Sequence, residues 1–219
     1  MMKKRFESKL NRIAGAAGLV MAASEVWKQL SLTYLVGEPG SYILWYLPFQ
    51  LCSIPMYLCL LLLFTRSGKL TDLCSEFLCT FGLMAGIAAF FDTSGFRYDY
   101  PPLTVHSFAW HIGMILLGIY AGIDRILCGR GFRFASFTGA AGIYLVCCAA
   151  AEALNLALDR FGIINMFYIN PHYRMEQVVF SRIAERIGNS PGILAYILCS
   201  MLGALLLHLL WKCFGRQER

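Results

Sequence analysis

The chain has 219 residues, 58% of them hydrophobic and 15% charged, with a net charge of +6 and a mean hydropathy of +0.59. A soluble domain carries about 25% charged residues, so the composition excludes an ordinary soluble protein. It also excludes a nucleic-acid binder, because the positive residues lie in short tails and loops at the ends of apolar runs rather than on one soluble face.

Only helices and closed barrels satisfy every peptide group in lipid, and the apolar runs are too long for barrel strands. The pattern therefore predicts an all-α, polytopic transmembrane bundle, with residues 1–219 forming one integral membrane domain. Six spans are expected, at roughly 13–36, 41–64, 72–91, 103–123, 134–158 and 191–213. The basic tail, the apolar run and Ala22-Ala23-Ser24 imitate a cleaved leader. The run continues past that point to Val36, which reads as a retained span.

Of the 19 basic residues, 13 fall in the two tails and in alternate connections: Lys3, Lys4, Arg5, Lys9, Arg12, Arg66, Lys69, Arg125, Arg130, Arg133, Lys212, Arg216 and Arg219. A six-span topology gathers them on one side, which by the positive-inside rule makes both termini cytoplasmic. Such a chain is a multi-pass integral membrane protein, in the plasma (inner) membrane if it is bacterial. Its first partner is the lipid bilayer.

Gly82 and Gly86 in the third span, Gly113 and Gly118 in the fourth and Gly139 and Gly142 in the fifth are expected to let helices approach closely. Most of the nine cysteines fall inside spans, where free apolar thiols are expected. His208 is expected to snorkel toward the inner surface. The connection at 159–190 is long, faces outward in this topology, and carries an amphipathic stretch from Glu176 to Gly188 suited to the membrane interface.

Polar groups inside a bilayer are costly and usually functional. Cys52 lies 11 residues into the second span from Ser41, roughly 16 Å as a helix, and His111 lies 8 residues into the fourth from Leu103, roughly 12 Å. A thiol beside an imidazole is the minimum for an activated nucleophile. Pro48 and Pro55 flank Cys52 and are expected to kink its helix. His106 is the competing histidine, on a different helical face. Glu25, Gln50, Glu152, Asn155 and Asn165 fall at compatible positions as supporting polar groups. Glu25 or Glu152 could orient His111, although Glu25 and Lys28 could instead pair along their own helix. No zinc-type cluster, nucleotide-binding loop, HxxxxD, HExxH or GxSxG signature occurs, so no metal and no cofactor are expected.

The run Leu47-Pro48-Phe49-Gln50-Leu51-Cys52, the span around His111, and Asn165-Met166-Phe167-Tyr168 followed by Pro171 resemble the YwaF-like bacterial membrane proteins, which are related to the transmembrane-protein-164-type acyltransferases. The resemblance implies a compact multi-span helical fold and acyl transfer between phospholipids and lysophospholipids without coenzyme A. Cys52 would accept the acyl chain as a thioester and His111 would be its base, with Asn155, Gln50 or Asn165 as oxyanion donors. Two other classes fit the residues alone. One is a small transporter or proton pathway lined by Glu25, Lys28, His111 and Glu152. The other is a non-catalytic lipid-binding protein. The oligomeric state is left open.

Overall fold

The computed structural model describes residues 2–36, 41–65 and 68–217, without the side chains of 2–9 and of 216–217. The side chains of Lys3, Lys4, Arg5, Lys9, Arg66, Arg216 and Arg219, which carry part of the expected orientation, lie outside the described residues. All regular structure among the described residues is helical. The main elements are α1 (Met2–Tyr34), α2 (Ile54–Phe64), α3 (Gly68–Phe91), α4 (Pro101–Leu127), α5 (Phe134–Leu158), α6 (Val178–Ile187) and α7 (Asn189–Gln217).

Among the described residues, four helices are long and apolar enough to cross a membrane: α3, α4, α5 with its following turn to Phe161, and α7. They make this an integral membrane protein. The first two expected spans differ from the prediction. α1 carries Glu25 and Lys28 within its apolar run and is not among the four. The second span is broken, because residues 41–50 hold only a short 3-10 turn at Leu44–Tyr46 and α-helix begins at Ile54. The prolines explain the break. Pro55 sits in the first turn of α2, where a missing N–H costs nothing, and it cannot extend a helix backward through its own nitrogen. Cys52 therefore lies in a 3-10 turn, Leu51–Ser53, at the mouth of α2 and not within a kinked helix. The helical-rise estimate of its depth does not apply.

α3 contains one π turn at Leu78–Gly82, which frees backbone groups that a regular helix would pair. The indole of Trp211 in α7 donates to the Cys79 carbonyl there at 3.0 Å. The main core surrounds this turn. Phe77, Phe137 and Tyr144 each stack on Phe81, with Phe81 and Tyr144 4.8 Å apart between centroids. Cys59, Cys74 and Cys79 are buried apolar thiols as expected, whereas Cys199 and Cys213 are exposed.

Of the six glycines expected at close approaches, Gly82, Gly86, Gly118 and Gly139 meet a neighbouring helix, Gly139 directly against the Leu73 side chain, and Gly113 and Gly142 do not. Gly118 lies against the π turn, where an added Cβ would stand 2.8 Å from the Leu78 carbonyl oxygen and from Leu83 Cβ. Gly86 meets α4 beside the His111 carbonyl, with 3.3 Å left for a Cβ. Gly113 and Gly142 have no described atom within 4 Å of that position, because they point away from the neighbouring helices.

The ends of α3, α4, α5 and α7 meet in a buried ionic cluster absent from the sequence expectations. Arg125 is wholly buried. It donates to Asp72 Oδ1, Ser75 Oγ and the Gly131 carbonyl, each at 2.8 Å, and pairs with Glu76 Oε2 at 2.8 Å. Ser136 donates to Asp72 Oδ2 at 2.6 Å. His208 does not snorkel. It is fully buried, with Nδ1 2.6 Å from Glu76 Oε1, because a carboxylate one turn below Asp72 reaches it across the bundle. Arg130 pairs with Asp124. These arginines act as internal ion-pair partners rather than free loop charges.

Overpacking a tight helix contact costs about 1–3 kcal/mol. Gly118→Val should therefore lower the midpoint of thermal unfolding in detergent by several degrees, and Gly113→Val should change it far less. Equal losses for the two variants would contradict the packing.

Candidate functional site

The Cys52 turn leaves the Cys52 carbonyl outside any helix ladder, and a buried carbonyl needs a donor. Trp110 in α4 supplies it, with Nε1 donating at 3.0 Å. Cys52 is half-buried and packs with Met56, Trp110, Met114, Met21 and Ala22, a small apolar cluster separate from the main core. The residue that holds the Cys52 turn is thus the immediate neighbour of His111.

The two histidines have different surroundings. His111 is buried, and its Nδ1 lies 2.8 Å from the Ser107 carbonyl one turn earlier. A carbonyl only accepts, so Nδ1 carries the proton and Nε2 keeps the lone pair a base needs. Phe96 stacks on the His111 ring at 4.3 Å and fixes its plane. His106 lies on the Trp110 face of α4, between the rings of Trp27 and Trp110 at 5.6 Å each. Both its nitrogens are buried without a hydrogen-bond partner. Among the described residues no hydrogen bond joins the Cys52 thiol to either imidazole.

The carboxylates expected to orient His111 make their bonds elsewhere. Glu25 accepts from Lys28 Nζ at 2.9 and 3.1 Å and from Gln29 Nε2. Glu152 Oε2 is 3.5 Å from Asn155 Nδ2. The Ser107 carbonyl takes the orienting position instead, and no sequence signal marks a backbone group for such a role.

Gln50, Asn155 and Asn165 converge on the segment after α5. Asn155 brackets Met166, accepting from its N–H at 2.7 Å and donating to its carbonyl at 3.1 Å. Gln50 does the same one step away, accepting from Phe167 N–H at 2.7 Å and donating to the Asn165 carbonyl at 3.0 Å. Asn165 Oδ1 accepts from Asn170 N–H at 3.0 Å, and Asn170 Nδ2 donates to the Ile164 carbonyl at 2.8 Å. These clamps hold Phe167 and Tyr168 at φ of 57° and 58°. For residues other than glycine that conformation costs of order 1–3 kcal/mol each and persists only under such constraint. Asn165 Nδ2 remains buried with no partner. Gln50, two residues before Cys52, therefore ties the thiol's turn to this strained segment.

Sequence reasoning missed Trp110, Ser107 and Phe96. An indole directly before the candidate histidine was the one available signal. Each buried backbone group stripped of its partner costs about 1–3 kcal/mol. Asn155→Leu should therefore open the segment around Met166, and limited proteolysis there should quicken by roughly tenfold. Glu152→Gln should leave it unchanged, and an unaltered rate in Asn155→Leu would show that the clamp does not hold the segment.

The model of the TMEM164 family matches residues 1–212. No curated protein and no solved structure matches the chain. A match over nearly the whole length, on a helical chain built to sit in a membrane, places this protein in the TMEM164 family.

Proposed function

We propose that the protein is a coenzyme A-independent transacylase that moves a fatty acyl chain from a phospholipid to a lysophospholipid through a thioester on Cys52. The observation that carries the reading is the Trp110 hydrogen bond to the Cys52 carbonyl, which fixes a half-buried thiol beside the His111 segment. Membership of the TMEM164 family and the Nδ1-protonated state of His111 support it.

The chemistry follows from the groups present. His111 Nε2 takes the Cys52 proton as sulfur attacks the donor ester carbonyl. The tetrahedral oxyanion collapses, and the lysophospholipid oxygen leaves with the proton from His111. The thioester then accepts attack by the hydroxyl of a second lysophospholipid, whose proton passes to His111 and on to the departing Cys52 sulfur. Of the three amides expected as oxyanion donors, Gln50 and Asn155 are committed to the 165–167 segment. Asn165 Nδ2 is the buried donor left free, and it takes the oxyanion role. Catalytic contacts of this kind tighten on substrate binding, so a dyad that closes on the bound lipid is consistent with the absence of a Cys52–His111 hydrogen bond among the described residues. An apolar surround keeps water from the thioester and favours transfer over hydrolysis.

A general base contributes about 10²–10⁴-fold. Purified protein in phospholipid vesicles with a labelled donor and a lysophospholipid acceptor should form labelled phospholipid. Cys52→Ser should abolish transfer, and His111→Ala should lower it by at least about 100-fold. His106→Ala should have the smaller effect. Undiminished transfer by Cys52→Ser would overturn the reading, and a larger loss in His106→Ala would move the base to His106.

A further inference from the structure

α6 turns back along α7 at Gly188, whose φ of 99° permits the reversal. The hairpin is close and in register. Phe180 meets Tyr196 edge to face with ring centroids 5.2 Å apart, and an added Cβ on Gly192 would lie 2.5 Å from Ala184 Cβ. Asn189 fastens the turn, donating to the Tyr173 carbonyl at 2.8 Å and accepting from Met175 N–H at 2.9 Å. With Phe180 and Ala184 facing α7, the opposite face of α6 is left open. It carries a shallow, open depression of about 300 Å³ lined by Val178, Val179, Arg182, Ile183 and Arg186.

Two features of this face are ordered along the length of α6. α7 begins at the polar Asn189 and becomes continuously apolar from Ile193. The start of α6, opposite Tyr196 and beyond, is therefore the deeper end, and Arg186, nearest the turn, is the shallower. Val178 and Val179 are both exposed at the deep end. Arg182 and Arg186 stand one helical turn apart toward the surface, both exposed. Among the described residues neither has a hydrogen bond or ion pair, and the one acidic residue on α6, Glu185, is bound to Arg174 at 2.7 Å. From Val179 to Arg186 is about 10 Å along the helix, the order of the distance between the phosphate and the upper acyl chain of a glycerophospholipid.

We propose that this face of α6 is a binding site for a phospholipid of net negative charge. Arg182 and Arg186 hold its phosphate, and Val178, Val179 and Ile183 lie against its acyl chains. The site rests on and deepens the transacylase reading by naming the headgroup class of the phospholipid the protein recognises. Binding is read without turnover, in both wild type and Cys52→Ser, so the two proposals fail separately.

The test uses the full chain in phosphatidylcholine vesicles doped with a photo-activatable phosphatidylglycerol, with adducts mapped by mass spectrometry. Adducts should concentrate on the peptide carrying 178–187. They should fall by about tenfold or more in Arg182→Gln/Arg186→Gln, since each cation near a membrane surface contributes to anionic-lipid affinity. Arg182→Lys/Arg186→Lys should retain most labelling, which separates charge from misfolding. A phosphatidylcholine probe with the same chains should label this peptide more weakly, and inorganic phosphate should not compete. Labelling spread evenly over the bundle, or unchanged in Arg182→Gln/Arg186→Gln, would overturn the site. So would equal labelling by the two probes or competition by inorganic phosphate.

Discussion

Backbone N–H and C=O groups cannot be left open in an apolar interior, and the site is arranged around the places where helix fails to close them. Two indoles supply donors to freed carbonyls, Trp110 to Cys52 and Trp211 to Cys79 in the π turn. Amide side chains do the same for the segment after α5, where Gln50 and Asn155 each pair with both an N–H and a carbonyl. The irregular entry to α2 and the left-handed Phe167 and Tyr168 are possible only because these side chains replace the missing ladder. The same substitutions bring a thiol, an imidazole and a free amide donor onto neighbouring elements.

The opposite end of the bundle is held by charge. Arg125 lies between Asp72 and Glu76, Glu76 also meets His208, and Ser136 of α5 donates to Asp72, so four helices share one buried polar cluster. Removing one partner from such a cluster costs about 3–5 kcal/mol, because the remaining charge is left uncompensated. The cluster fixes α3 against α4 and α7. α3 and α4 carry Gly86 and Gly118, whose close contacts set the height of the Ser107–His111 turn.

The regular helices were legible from apolar run length. The stretch 134–158 is the helix Phe134–Leu158, and the alternation from Glu176 to Gly188 contains the helix Val178–Ile187. The broken second span was signalled by Pro48 and Pro55 but read as a kink, since sequence alone does not say whether a proline bends a helix or begins one. The pairing of Arg125 with Asp72 and Glu76 was hidden because each sits near a span end, where a solvated charge is the ordinary outcome. The candidate amides were visible as polar residues in apolar surroundings. Their division into two clamps and one free donor depends on the 164–170 loop conformation, which no local pattern encodes.

The central claim is covalent, so intact-protein mass spectrometry after incubation with a donor phospholipid and no acceptor tests it most directly. The account predicts one added acyl mass, mapped to Cys52, released by neutral hydroxylamine, lost on adding lysophospholipid, and strongly reduced in His111→Ala. An acyl mass on another residue, or none on Cys52 in protein that consumes donor phospholipid, would contradict it.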